Sequence, residues 1–242
     1  IIFRYVVVKY PYFGNTGTLT SSNGVTNAGN VENSDTFSAT IVHNSRTCTN
    51  TCSLTCVNSD INCVDRRQRQ MCIRGRVNNT ATIENNEIFS ATTVTNSGTL
   101  TNNKSFSATD VLNSLTFVNT GTLTATNTVT NAGTFTNAGR FTAAYVENKA
   151  TFTFDNTGTL IASNSVTNAG TFTNDESFSA PTVTNAGTFT NNKSFSATDV
   201  VNTLTFDNTG TLTASNGVTN AGTFETSDTF SAPIVNNSGT FT

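Results

Sequence analysis

The six-residue phrase NAGTFT stands at Asn131–Thr136 and returns at Asn168–Thr173 and Asn185–Thr190. Altered copies begin at Asn96 (NSGTLT), Asn220 (NAGTFE) and Asn237 (NSGTFT). A phrase that returns about every 17 residues marks a repeat protein, in which each unit packs chiefly on its neighbours. Counted from the leading Asn, units start at Asn27, Asn44, Asn62, Asn79, Asn96, Asn113, Asn131, Asn148, Asn168, Asn185, Asn202, Asn220 and Asn237. The steps are 17 or 18 residues, apart from one of 20 after Asn148. So steady a step fits one turn of a solenoid per unit.

Within a unit, large apolar residues recur at three places. From Asn131 they are Phe135, Phe141 and Val146, and from Asn168 they are Phe172, Phe178 and Val183. An amphipathic helix would return its apolar face every three or four residues, and these gaps are too wide for that. They suit three short strands per coil, each pointing one large side chain inward between outward neighbours, as in Thr134-Phe135-Thr136. A small residue often stands two places after the second anchor, as in Phe178-Ser179-Ala180, and is expected to face inward at a tight corner. Burying three anchors cannot offset the ordering of a whole coil, so the coils must stack. The expected fold is all-β: a single-chain parallel β-helix (β-solenoid) of about 13 coils of 17–18 residues, three short strands per coil. Residues 1–12 read as an N-terminal strand, cap or fragment edge. Residues 13–242 read as the solenoid, with a disturbed region at 44–78.

The leading Asn follows the inward Val by two residues. It can face inward and form a stacked amide ladder, as in other stacked β architectures. Alternatively, Asn and Gly supply the corners with positive φ. Asn119, Asn137, Asn174, Asn191 and Asn208 mark a second corner.

Composition narrows the function. Only 11% of residues are charged and the net charge is −3, with no basic stripe along the repeats, which argues against a nucleic-acid partner. No apolar run is long enough to span a membrane as a helix. The chain opens abruptly on IIFRYVVVKYPYF and closes inside a unit, and is expected to be part of a longer protein.

Units such as NAGTFTNAGRFTAAYVE and NSGTLTNNKSFSATDVL resemble the Asn/Gly/Thr-rich repeats of bacterial filamentous-hemagglutinin-type and autotransporter adhesins. The resemblance covers residues 13–242 apart from the disturbed region. It implies a right-handed parallel β-helix, secreted or displayed at a cell surface.

The disturbed region holds all five cysteines, Cys48, Cys52, Cys56, Cys63 and Cys72, together with Arg66, Arg67, Arg69, Arg74 and Arg76. The spacing Cys48-x3-Cys52-x3-Cys56 does not match paired zinc ligands, and five is an odd count for disulfides. In the repeat frame Cys48 takes a Phe position, Cys56 an Ala position, and Cys52 and Arg46 Gly positions. Residues 66–76, RRQRQMCIRGR, resemble a translated transposon-end sequencing adaptor. A foreign or degenerate stretch, a genuine loop or bulge, and a functional cysteine site all remain open at this point.

No catalytic constellation is evident, and a non-catalytic protein without metal or cofactor is expected. His43, the one histidine, takes an outward position near a corner with nothing to pair with it in the repeat frame. The carboxylates are scattered; Asp110 and Asp199, for example, share a unit position five coils apart. Neither calcium-repeat nor phosphate-loop motifs occur. The sharper candidates are outward hydroxyl pairs: Thr122/Thr124, Ser177/Ser179 and Thr211/Thr213 around the second anchor, and Thr134/Thr136, Thr171/Thr173 and Thr188/Thr190 around the first. Outward residues two apart on a strand lie ~6.6–7 Å apart and coils ~4.8 Å apart. Such a grid resembles the Thr-x-Thr faces of β-solenoid ice-binding proteins. Val118, Asp207 and Glu225 interrupt the first face, and Arg140 and Ile161 the second. Threonine is also simply a good solvated β-surface residue.

The leading expectation is a structural or adhesive segment of an extracellular or cell-surface fibre. Its partners would be end-to-end copies of itself, a glycan or a host surface. The alternative is ice binding through a flat Thr/Ser face.

Overall fold

The computed structural model describes residues 75–242 in full. Before them it describes residues 24–33 and the strands Ile2–Phe3, Val6–Val8, Tyr12–Asn15, Leu19–Ser21, Phe37–Ala39, Ile41–Asn44, Cys48–Asn50 and Ser53–Cys56. In that earlier part, side chains are described only at Gly14, Ser21, residues 24–30, Glu32 and His43. Every regular element among the described residues is a strand, every pairing between them is parallel, and there is no helix. The chain forms two compact units, Ile1–Phe117 and Val118–Thr242.

In the second unit each coil contributes one strand to one sheet, as in Thr134–Asn137, Thr171–Asn174 and Thr188–Asn191. From Arg140 to Asn220 the rest of the coil is a longer, bent strand in the other sheet, as in Arg140–Asn148 and Ser177–Asn185. Register shifts at Ala143/Tyr145, Ile161/Ser165 and Ala197/Asp199 mark the bend, so in these coils the second and third expected strands run together around a corner. Register is otherwise exact from coil to coil, with Phe172 on Phe189 and Val183 on Val200.

That register builds the core. Phe135, Phe154, Phe172, Phe189, Phe206 and Phe224 are buried and stack with their rings nearly parallel, with ring centroids 4.6–4.9 Å apart. Phe178 and Phe195 form a second stack at 4.7 Å and meet Phe189 edge-on at 5.5 and 5.4 Å. Both arrangements are favourable for aromatic quadrupoles. Ala143, Ala162, Ala180, Ala197 and Ala214 are buried at the bend, where the tight corner admits only a small side chain.

Both corners carry amide ladders. Asn131 donates through Nδ2 to Asn148 Oδ1 at 2.8 Å, and the chain continues through Asn168, Asn185, Asn202 and Asn220 to Asn237, each link 2.8 Å. The second ladder runs Asn119, Asn137, Asn156, Asn174, Asn191, Asn208, and ends where Thr226 Oγ1 accepts at 3.1 Å. Asn168 shows why Asn is needed. Its Nδ2 also donates to Gly170 O and Thr188 O, while its Oδ1 accepts from Gly170 N and Asn148 Nδ2. A carboxylate cannot donate, and a hydroxyl has one hydrogen.

The ladder reading therefore holds, and the positive-φ alternative does not. Among the described residues only Gly24 (φ 133°) and Thr151 (φ 68°) lie in the left-handed region. Close stacking explains the corner glycines instead: a Cβ on Gly139 would overlap the carbonyl oxygen of Gly121 one coil below.

In the first unit the three expected strands of a coil stay separate: Arg76–Asn79, Thr82–Asn85 and Ile88–Ser90 pair with Thr93–Asn96, Thr99–Asn102 and Ser105–Ala108. Asn79 donates to Asn96, and Asn96 to Asn113. Phe89 stacks on Phe106 at 4.4 Å.

Here the expected frame needs correction. Ile41–Asn44, Cys48–Asn50 and Ser53–Cys56 pair directly with Arg76–Asn79, Thr82–Asn85 and Ile88–Ser90. His43 and Asn78 are thus neighbours although 35 residues apart, twice the usual step. Asn79 stands in register with Asn44, so the strand beside it in the sheet is not one begun at Asn62. Asn62 itself lies outside the described residues, as do Cys52, Cys63, Cys72, Arg46, Arg66, Arg67, Arg69 and Arg74. Ten unit starts, Asn79 to Asn237, fall in the fully described part, giving about ten turns there rather than about 13. Cys48 stands in register between Val31 and Ile83, and Cys56 opposite Ala39, matching their expected Phe and Ala positions.

The step of 20 is absorbed at two places: two extra residues lie at the first corner and one at the bend between Ala162 and Ser165. Between Asn148 and Thr153 the chain adds a small turn in which Phe152 N donates to Lys149 O at 3.3 Å. Asn148 Nδ2 reaches Phe152 O, keeping the ladder intact. Lys149 forms an ion pair with Glu147 beside this turn.

Candidate surface-binding site

All twelve candidate hydroxyl residues lie at outward, exposed or half-buried positions. They divide between the two sheets. Thr134, Thr136, Thr171, Thr173, Thr188 and Thr190 belong to the one-strand-per-coil sheet. Thr122, Thr124, Ser177, Ser179, Thr211 and Thr213 belong to the other. The candidates therefore form separate surfaces.

Register sorts each surface into rows. The row that leads the first strand in the second unit is Thr134, Thr153, Thr171, Thr188, Thr205, Thr223 and Thr240, unbroken through seven coils. In the first unit Thr82, Thr99 and Thr116 hold the same place. The neighbouring row of the second unit reads Thr136, Asp155, Thr173, Thr190, Asp207 and Glu225. The interruptions at Val118, Asp207 and Glu225 all fall at this second place, and so does Asp155, which the 20-residue step hid from a fixed-frame reading.

The other sheet is less regular. Its leading row runs Thr122, Arg140, Thr159, Ser177, Ser194, Thr211. Its second row is broken by Ile161 between Thr142 and Ser179.

Among the described residues, Asp155 is the carboxyl that departs from its ordinary value. Burial raises it above its ordinary value, a hydrogen bond from the Thr173 hydroxyl partly opposes this, and the Asp175 carboxylate raises it further. Just past the second corner an outer polar column was not anticipated: Thr209 donates to Asn192 and Asn192 to Asp175, both at 2.7 Å. Asn103 donates likewise to Asn86. The signal was a polar residue directly after the second-corner Asn in successive units.

His43 is exposed, and its Nδ1 lies 3.3 Å from the Asn78 amide nitrogen, so the expectation that nothing pairs with it is corrected. The partner comes from the unexpected Asn44–Asn79 stacking. Among the described residues no three His, Cys, Asp or Glu side chains converge to hold a metal ion, and no helix is long and apolar enough to cross a membrane.

No protein-family model, curated protein or solved structure matches the chain.

Proposed function

We propose that this protein is a structural, non-catalytic β-solenoid segment of an extracellular or cell-surface fibre or adhesin. One observation carries the reading: inward Asn and large apolar side chains recur in coil after coil and join each coil to the next. Much of the repetition thus serves to keep the stack. Glycan or host-surface contact through the outer rows, and end-to-end association of strand edges, are the partner modes it carries. Antibody labelling of intact source cells tests it. Surface labelling is expected, and staining only after permeabilisation would count against it.

A second reading, ice binding, is favoured by one feature, the unbroken threonine row from Thr134 to Thr240. Inhibition of ice recrystallisation by the purified protein tests it, and ice growth unchanged at high protein concentration removes it.

A further inference from the structure

Resting on that second reading, we infer that the contact line for an ice lattice is the single threonine row leading the first strand, Thr134 to Thr240, and that the row beside it takes no part.

The fold contains its own control. The row's carbonyl oxygens accept from the first amide ladder, as when Asn148 donates to Thr171 O and Asn168 to Thr188 O. The leading row of the next strand has the same backbone duty toward the second ladder, with Asn119 donating to Arg140 O and Asn156 to Ser177 O. Both rows are outward and extended, and both stack in register. One varies among Thr, Arg and Ser, and the other is Thr throughout the second unit. Backbone geometry and β-propensity act on both alike, so neither explains the difference. A demand on the side chain does.

Asn30 and Tyr12 hold this place near the start of the first unit, but a demand repeated in every coil of the second points to a partner that repeats with the coil. A discrete ligand would engage one or two coils and leave the others free to drift. The amide links hold 2.8 Å through six successive steps, even across the 20-residue coil, so the row keeps one axial period of ~4.8 Å. Threonine is stiff at χ1, which fixes where each methyl and hydroxyl sits. The row holds no charge and no aromatic ring, the groups by which proteins more often grip a flexible glycan. Carboxylates enter only the second row, at Asp155, Asp207 and Glu225, where a strongly hydrated charge would disturb ordered water.

The test compares wild type, Thr188→Asp and Asp207→Thr in ice recrystallisation, after circular dichroism shows that all three are folded. Thr188→Asp is expected to raise the inhibiting concentration at least about tenfold, because it sets a carboxylate in the contact. Asp207→Thr is expected to change it less than about twofold. A wild type that leaves ice unaffected removes the ice reading and this inference together. An active wild type with an undiminished Thr188→Asp overturns the inference alone, as does a large gain in Asp207→Thr, which would show a two-row grid. Loss of binding to crystalline cellulose or chitin in Thr188→Asp, with ice activity unchanged, would assign the row to a polysaccharide and overturn it too.

Discussion

Asn148 and Asn168 stand 20 residues apart, yet the Nδ2 of the first donates to the Oδ1 of the second at 2.8 Å with both side chains fully buried. The extra residues of this coil are placed outside the ladder, two in the corner turn and one at the bend, so the stack tolerates variation in coil length but not in amide contact. The same relation links every successive pair from Asn131 to Asn220.

Asn168→Ala should therefore be costly. It removes both ladder links of Asn168 and the bonds of its amide to Gly170 O, Thr188 O and Gly170 N in a buried corner. At about 0.5–1.5 kcal/mol net for each hydrogen bond lost, the loss should be roughly 2–5 kcal/mol in urea unfolding. Asn192→Ala, on the outer column, should cost less than about 1 kcal/mol because water can replace its bonds.

Thr151 is β-branched and held at φ 68° in the added turn. Thr151→Gly should raise stability by about 1 kcal/mol, the left-handed cost relieved less the entropy glycine adds to the unfolded chain. Thermal unfolding checks this, and a lowered midpoint would mean that contacts of the threonine side chain outweigh the strain.

Asp155 links stability to pH. Its carboxyl lies above the ordinary 3.8 in the fold, so the folded chain holds that proton more readily than the unfolded chain does. Its contribution to stability is best below 3.8 and falls as pH rises from there through the raised value. Asp155→Asn should thus be slightly more stable than wild type at neutral pH, by about 0.5 kcal/mol or less given the screening of a largely exposed group. The difference should vanish below 3.8 in unfolding curves taken across pH.

A chain lacking residues 57–74 should keep its fold. Deletion joins Cys56 to Gly75 and leaves one residue before Arg76, the same spacing that Ala91, Thr92 and Thr93 show one coil later. All three strand pairings across the junction already exist. The unfolding midpoint should be unchanged or higher, since joining paired strands by fewer residues costs less entropy. A lost β-sheet spectrum would show that the 18 residues removed belong to the stack.

The sequence made much of the coil legible. Phe135, Phe141 and Val146 announced three inward strands by spacing, and Ala180 announced a tight bend, because burial at fixed intervals leaves a periodic trace. The candidate surface was harder to read. Thr134 and Thr136 look equivalent in the phrase NAGTFT, and only stacking shows that one heads an unbroken row while the other adjoins Asp155. Asp155 is hard to place from sequence because two extra residues after Asn148 displace it from a fixed frame.

By itself, then, the sequence determined the repeat, the inward residues and the parallel solenoid, since each follows from local spacing and side-chain chemistry. The tertiary structure alone decided three things: that Asn168 serves a ladder rather than a positive-φ turn, that Asn79 stacks on Asn44 rather than on a coil begun at Asn62, and that only one threonine row is continuous. All three depend on which residue of the next coil lies opposite. That register is set by contacts between coils, and no single unit of sequence contains it.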